Sequence, residues 1–296
     1  MDERGSSEAV NDPGVSPLVS AGQLAAKSQD PNVRIIDARF ELNDPVAGPA
    51  MYAAGHVPGA VYLDLDRDLA APPGASGRHP LPDLEALARK LGTSGIGRQH
   101  EVLVYDQVGS MYAARAWWLL RYMGHDAVRV LDGGYAAYLA VGGEVSSRSP
   151  SHPPTSFDID VRQEMVLELD GILARLDDPG LVMLDARSPE RYRGETEPLD
   201  PKAGHVPGAL NLPYASSSGP AGMLSPSEIR QLYELDTLPD DADLVAYCGS
   251  GVSAAHLVLA LEVAGRRGVK LYPGSWSEWS RRDDLPVAVG DERARA

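Results

Sequence analysis

The chain has 296 residues, room for two domains that each bury a core. Its 42 acidic against 27 basic side chains leave a net charge of −15, which argues against nucleic acid and anionic membrane surfaces as partners and leaves any anionic ligand to local donors. One cysteine makes no intrachain disulfide, the polar N-terminus lacks a signal-peptide core, and no apolar run approaches a membrane span, so a cytoplasmic α/β protein is expected.

Residues 1–15 are polar, carry Gly5, Pro13 and Gly14, and read as a loose tail. The first unit, 16–145, opens with a strand at Val33–Ile36 that leads into Asp37-Ala-Arg39. Gly55-His-Val-Pro-Gly-Ala60 and a second strand, Val61–Leu63, follow. Leu69–Pro82 is rich in Pro, Gly and Ser and reads as a loop. Leu84, Leu87, Ala88 and Leu91 mark one face of a helix that Gly92 is expected to end. Val102–Tyr105 is a strand, Met111–Met123 a helix stopped by Gly124, and Val128–Leu131 another strand. Glycines, serines and prolines then crowd Gly142–Pro154, which predicts a linker over 146–160.

The second unit, 161–290, repeats the first. Leu181–Leu184 leads to Asp185-Ala-Arg187, and Gly204-His-Val-Pro-Gly-Ala209 copies the earlier motif letter for letter. Ser225-Pro-Ser-Glu228 is a capping box opening a helix over Ile229–Leu235. The apolar strand Leu244–Tyr247 runs into Cys248-Gly-Ser-Gly-Val-Ser253 and a helix that Gly265 stops. Strands alternating with helices predict a doubly wound parallel sheet in each half. This is duplication of a whole domain, not a short-period solenoid.

Duplication allows one comparison inside the chain. Tyr247-Cys248 in the second half answers Tyr105-Asp106 in the first, so only the second half carries a nucleophilic sulfur. The two glycines after Cys248 let the backbone curl its N–H groups into a hollow at a helix N-terminus, an environment that favours thiolate over thiol. His56 and His205 occur in both halves, as do Asp37–Arg39 and Asp185–Arg187, and are read as framework. Trp117 and Trp118 are read as core in an apolar helix, and His256, on the helix after the loop, as a packed or solvent-facing imidazole.

The tandem halves, the paired His-Val-Pro-Gly-Ala motifs, the six-residue loop Cys248–Ser253 and the ending Tyr272-Pro-Gly-Ser-Trp-Ser-Glu-Trp279 resemble the rhodanese superfamily of sulfurtransferases. The resemblance implies two rhodanese-like domains, the first silent, and a persulfide formed on Cys248 and held by the loop residues Gly249, Gly251, Val252 and Ser253. Cys-Gly-Ser-Gly-Val-Ser-Ala is similar to the 3-mercaptopyruvate sulfurtransferases, which implies a proton-handling trio of Ser250, His79 and Asp66. It also implies that Arg191 binds the donor carboxylate. The second arginine expected near 196–200 is missing, and Lys202 is the substitute at hand. A small anionic donor and a thiol acceptor, such as thioredoxin or a small thiol, are the implied partners; no metal or organic cofactor is expected.

Three rivals stand beside this reading. A cysteine phosphatase needs an arginine six residues after the cysteine, where Ala254 stands. A thiosulfate sulfurtransferase would use the same persulfide, and a sulfur-carrier or regulatory module would use the fold without turnover.

Overall fold

The computed structural model describes residues 16–107, 109–219 and 221–291; the tail expected over 1–15 lies outside them. The first half comprises β1 (Leu18–Val19), α1 (Ala21–Lys27), β2 (Val33–Asp37), α2 (Ala47–Ala54), β3 (Val61–Tyr62), α3 (Leu84–Thr93), β4 (Glu101–Tyr105), α4 (Met111–Tyr122), β5 (Val128–Leu131) and α5 (Gly134–Ala140). Its sheet has the order β1-β5-β4-β2-β3, every pair parallel. β2 and β4 are buried along almost their whole length, which is why they read as apolar runs and not as alternating patterns.

The second half comprises α6 (Leu169–Leu173), β6 (Leu181–Asp185), α7 (Pro189–Tyr192), β7 (Leu210–Asn211), the hairpin strands β8 (Ser218–Gly219) and β9 (Gly222–Met223), α8 (Pro226–Leu232), β10 (Asp243–Tyr247), α9 (Val252–Val263), β11 (Lys270–Leu271) and α10 (Ser275–Trp279). The order β11-β10-β6-β7 reproduces β5-β4-β2-β3, again all parallel. Where the first sheet adds β1, the second has only a parallel bridge between Val166 and Leu271.

Two helix boundaries differ from expectation for local reasons. Gly92 lies inside α3; the chain turns instead at Gly95, whose φ of +77° suits glycine. α8 starts at Pro226, where the Ser225–Glu228 capping box closes, and it ends at Leu232 before a short 3₁₀ turn.

The two halves share a core. α4 packs on α9, and one apolar cluster joins Trp117, Trp118 and Leu120 to Leu257, Val258 and Leu261. The region expected as a linker is ordered and lies along the first half: Thr155 N–H donates to Gly92 O at 2.9 Å, and Asp160 N–H to Met123 O at 3.0 Å. α4 and α9 each begin just after the turn that follows a central strand, so this packing brings both loops, the one after Tyr105 and the one after Tyr247, to the seam between the halves.

Candidate active site

Each half builds the same scaffold under its central loop. Asp37 and Arg39 pair through Nη2 and Oδ2 at 2.6 Å, and Asp185 and Arg187 do the same at 2.6 Å. Tyr105 and Tyr247 each accept an N–H through the hydroxyl, from Val57 and Val206. His56 stacks on Tyr52 and His205 on Tyr192, each with Nδ1 at 2.8 Å from that tyrosine's carbonyl oxygen. These groups are framework in both halves, as their duplication implies.

Cys248 is the first residue after β10. Gly251, with φ of +80°, bends the chain back so that its N–H donates to Cys248 Sγ at 3.1 Å. A Cβ at Gly251 would lie 2.6 Å from Pro273 O, so both conformation and space demand glycine. The loop is laced to α10: Trp276 N–H donates to Cys248 O, Ser277 N–H to Gly249 O, and Cys248 N–H to Ser275 Oγ. Val252 opens α9 beside the loop, with Ser253 half-buried after it. The sulfur sits deeper than a position at the mouth of the hollow: Cys248 is 1% exposed.

Ser250, His79 and Asp66 come together. His79 Nδ1 lies 2.8 Å from Ser250 Oγ, and His79 Nε2 lies 3.3 Å from Asp66 Oδ1. The imidazole thus bridges a hydroxyl of the second half and a carboxylate of the first. Burial, with the positive charges of Arg115 and Arg78 behind it, pushes His79 down to about 4, so the ring is neutral at ordinary pH. Partial burial and then the Asp64 charge raise the Asp66 carboxyl.

Arg191 stands at the loop, with its Nη2 held by Glu197 Oε1 at 2.6 Å and near Asp200 Oδ2 at 3.4 Å. Lys202 does not replace a missing arginine. Its Nζ donates to Arg282 O at 2.7 Å and pairs with Asp283. The second guanidinium comes instead from Arg78 of the first half, which ion-pairs with Asp200. An ideal Cβ on Gly249 would lie 2.8 Å from Arg78 Nη2 and 3.4 Å from Arg191 Nη1. Two guanidiniums therefore converge beside the reactive loop, and Gly249 leaves the space between them open. Arg78 escaped the sequence reading although it immediately precedes His79; with no fold in hand, an arginine in a Pro/Gly loop gives no sign of the domain it faces.

Among the described residues no group of three or more His, Cys, Asp or Glu side chains is placed to hold a metal ion, and no helix is long and apolar enough to cross a membrane.

The Rhodanese-like domain profile matches residues 20–141 and again 168–282. Over 280 residues the chain is 44% identical to the probable 3-mercaptopyruvate sulfurtransferase of Pseudomonas aeruginosa, covering 93% of this chain and 98% of that protein. It is 33% identical over 278 residues to the thiosulfate sulfurtransferase of Bos taurus, covering 90% and 92%. The crystal structure of the 3-mercaptopyruvate sulfotransferase SseA from Escherichia coli superposes with a TM-score of 0.78 at 31% identity, covering 89% of this chain and all of that one.

Proposed function

The chain belongs to the rhodanese family and is a sulfurtransferase, and from that premise we propose that it takes sulfur from 3-mercaptopyruvate through a persulfide on Cys248. The observation that carries this choice of donor is the contact of His79 with Ser250 at 2.8 Å, two residues beyond the sulfur. A donor that leaves as an enolate needs a proton on carbon; one that leaves as sulfite does not.

The Cys248 thiolate attacks the thiol sulfur of the donor, a sulfur–sulfur bond forms, and the carbon–sulfur bond breaks with its electron pair going to the enolate of pyruvate. The proton of the donor's thiol ends on the enolate carbon, leaving pyruvate and an anionic persulfide. Ser250 and the neutral imidazole of His79 are the relay for that proton, and Asp66 fixes the ring by accepting from Nε2. Arg78 and Arg191 take the donor carboxylate between them beside Gly249. The Gly251 N–H stabilises the anionic sulfur before and after transfer. A thiol, small or on a protein, then removes the outer sulfur.

Intact mass after incubation with donor tests this. One added sulfur on the wild-type chain, absent in Cys248→Ser, together with pyruvate release, is the expected result. Sulfur uptake from thiosulfate without any pyruvate release from 3-mercaptopyruvate would overturn the donor.

A further inference from the structure

Arg115, in the middle of α4, is completely buried, and its partners are unusual for a cation. Its Nε donates to Leu69 O at 3.2 Å, Nη1 to Gly251 O at 3.3 Å, and Nη2 to His79 O and Pro80 O at 3.2 and 3.3 Å. All four acceptors are main-chain carbonyls. Among the described residues no carboxylate lies within ion-pair distance of Arg115; buried Arg39 and Arg187 each have their own aspartate, while Arg34, 8% exposed and far from the loop in sequence, is likewise held by main-chain carbonyls. Carbonyl dipoles offset part of the cost of burying a guanidinium, and an anion within reach offsets more of it.

The place of Arg115 identifies the anion. Gly251, whose carbonyl it holds, is the residue whose N–H meets Cys248 Sγ at 3.1 Å. Burial pulls the Arg115 guanidinium down to about 10, and the sulfur of Cys248 is the neighbouring charge that opposes this. We propose that Arg115 is a counter-ion delivered by the first half to the anionic sulfur of Cys248, as thiolate and then as persulfide. The proposal rests on Cys248 as the sulfur-bearing residue, and it adds an electrostatic partner that neither the loop nor the donor provides. It gives the first half a third task beside those of His79 and Arg78. The other titratable groups facing this region are Tyr214, held protonated by burial and by Cys248 and Asp106, neutral His79, neutral His256 on α9, and the guanidiniums of Arg78 and Arg191. Those two arginines already share Asp200, and Arg191 also has Glu197, which leaves Arg115 as the cation without a carboxylate.

The test separates charge from hydrogen bonding. In Arg115→Gln an amide still reaches carbonyl oxygens but the charge is gone; in Arg115→Lys the charge stays but the fork is gone. The rate of Cys248 alkylation by iodoacetamide is followed against pH, and the KM for 3-mercaptopyruvate is measured beside it. The half-maximal pH should rise by about one unit or more in Arg115→Gln and stay close to wild type in Arg115→Lys, with KM little changed in either. If Arg115→Gln does not fold, Arg115→Met, which also lacks the charge but fills the apolar space, takes its place. Equal half-maximal pH in wild type and every folded neutral variant overturns the proposal. Wild-type protein that never acquires sulfur at Cys248 overturns the proposed function instead, and intact mass separates the two failures.

Discussion

His79 and Ser250 are 171 residues apart in the chain, yet Nδ1 and Oγ meet at 2.8 Å across the seam between the halves. The contact joins a loop with no regular structure, Leu69–Pro82, to the reactive turn, so the geometry depends on how α4 seats against α9. Ser250→Ala and His79→Ala should each lower pyruvate release from 3-mercaptopyruvate by about 10²–10⁴-fold. Transfer from thiosulfate to cyanide should change far less in the same proteins, because sulfite departs without protonation at carbon. Parallel losses with both donors would show that the pair serves structure and not proton transfer.

Arg78 should act on donor binding and not on the sulfur. Arg78→Ala removes a charge-assisted partner of the carboxylate and should reduce kcat/KM for 3-mercaptopyruvate by about 10–100-fold. The pH profile of Cys248 alkylation should be unaffected. Asp200→Asn frees the same guanidinium from its anchor and should give a smaller loss, read again in KM.

Gly251→Ala tests the turn itself. At φ of +80°, with Pro273 O standing 2.6 Å from the new Cβ, alanine is strained in backbone and in space. A loss of about 1–3 kcal/mol in unfolding free energy is expected by chemical denaturation. Sulfur loading should fall with it, since the N–H that meets Sγ belongs to this residue. Gly265→Ala, also at positive φ but with open space around it, should destabilise less and leave loading intact.

Acid should weaken the fold through buried imidazoles. His79, His125 and His256 are each pushed down to about 4, mainly by burial, whereas an unfolded imidazole titrates near 6.5. Between those values the unfolded chain takes up protons that the native imidazoles do not, so their share of stability is lost as pH falls from about 6.5 toward about 4, opposed by buried Asp106, which desolvation holds up to about 7. His256 is packed edge-on against Tyr214, fully buried, and outside the loop that carries the site. Thermal melts of wild type and His256→Phe over this range check it: the fall in Tm should be shallower in the variant.

Much of the fold could be read from the chain because a duplicated sequence displays its own template. The central strands were apolar runs, and the Ser225–Glu228 box marked a real helix start. Two helices gave weaker signals. α1 carries a capping box of Ser20 and Gln23 that is easily passed over near a polar tail, and α2 contains Gly48 and Pro49, which read as breakers. Gly92 has the look of a stop, but it serves packing: a Cβ there would lie 2.5 Å from Thr155 O, where the connecting segment crosses α3. In the site, Cys248, Ser250 and Arg191 declared themselves through local pattern and family resemblance. Arg78 and Arg115 did not, since each reaches a residue of the opposite half, Asp200 and Gly251, and no local spacing encodes that approach.

The connecting segment has a consequence for how the molecule comes apart. Thr155, Asp160 and Arg162 bond it to the backbone of the first half, while Trp117 and Leu257 belong to one apolar mass spanning both halves. Neither half can melt while the other keeps its native surface. A scanning calorimeter should record a single endotherm, with no shoulder for a hardier partner, and a chain severed at the strap should leave two fragments that stay clasped until they are denatured together.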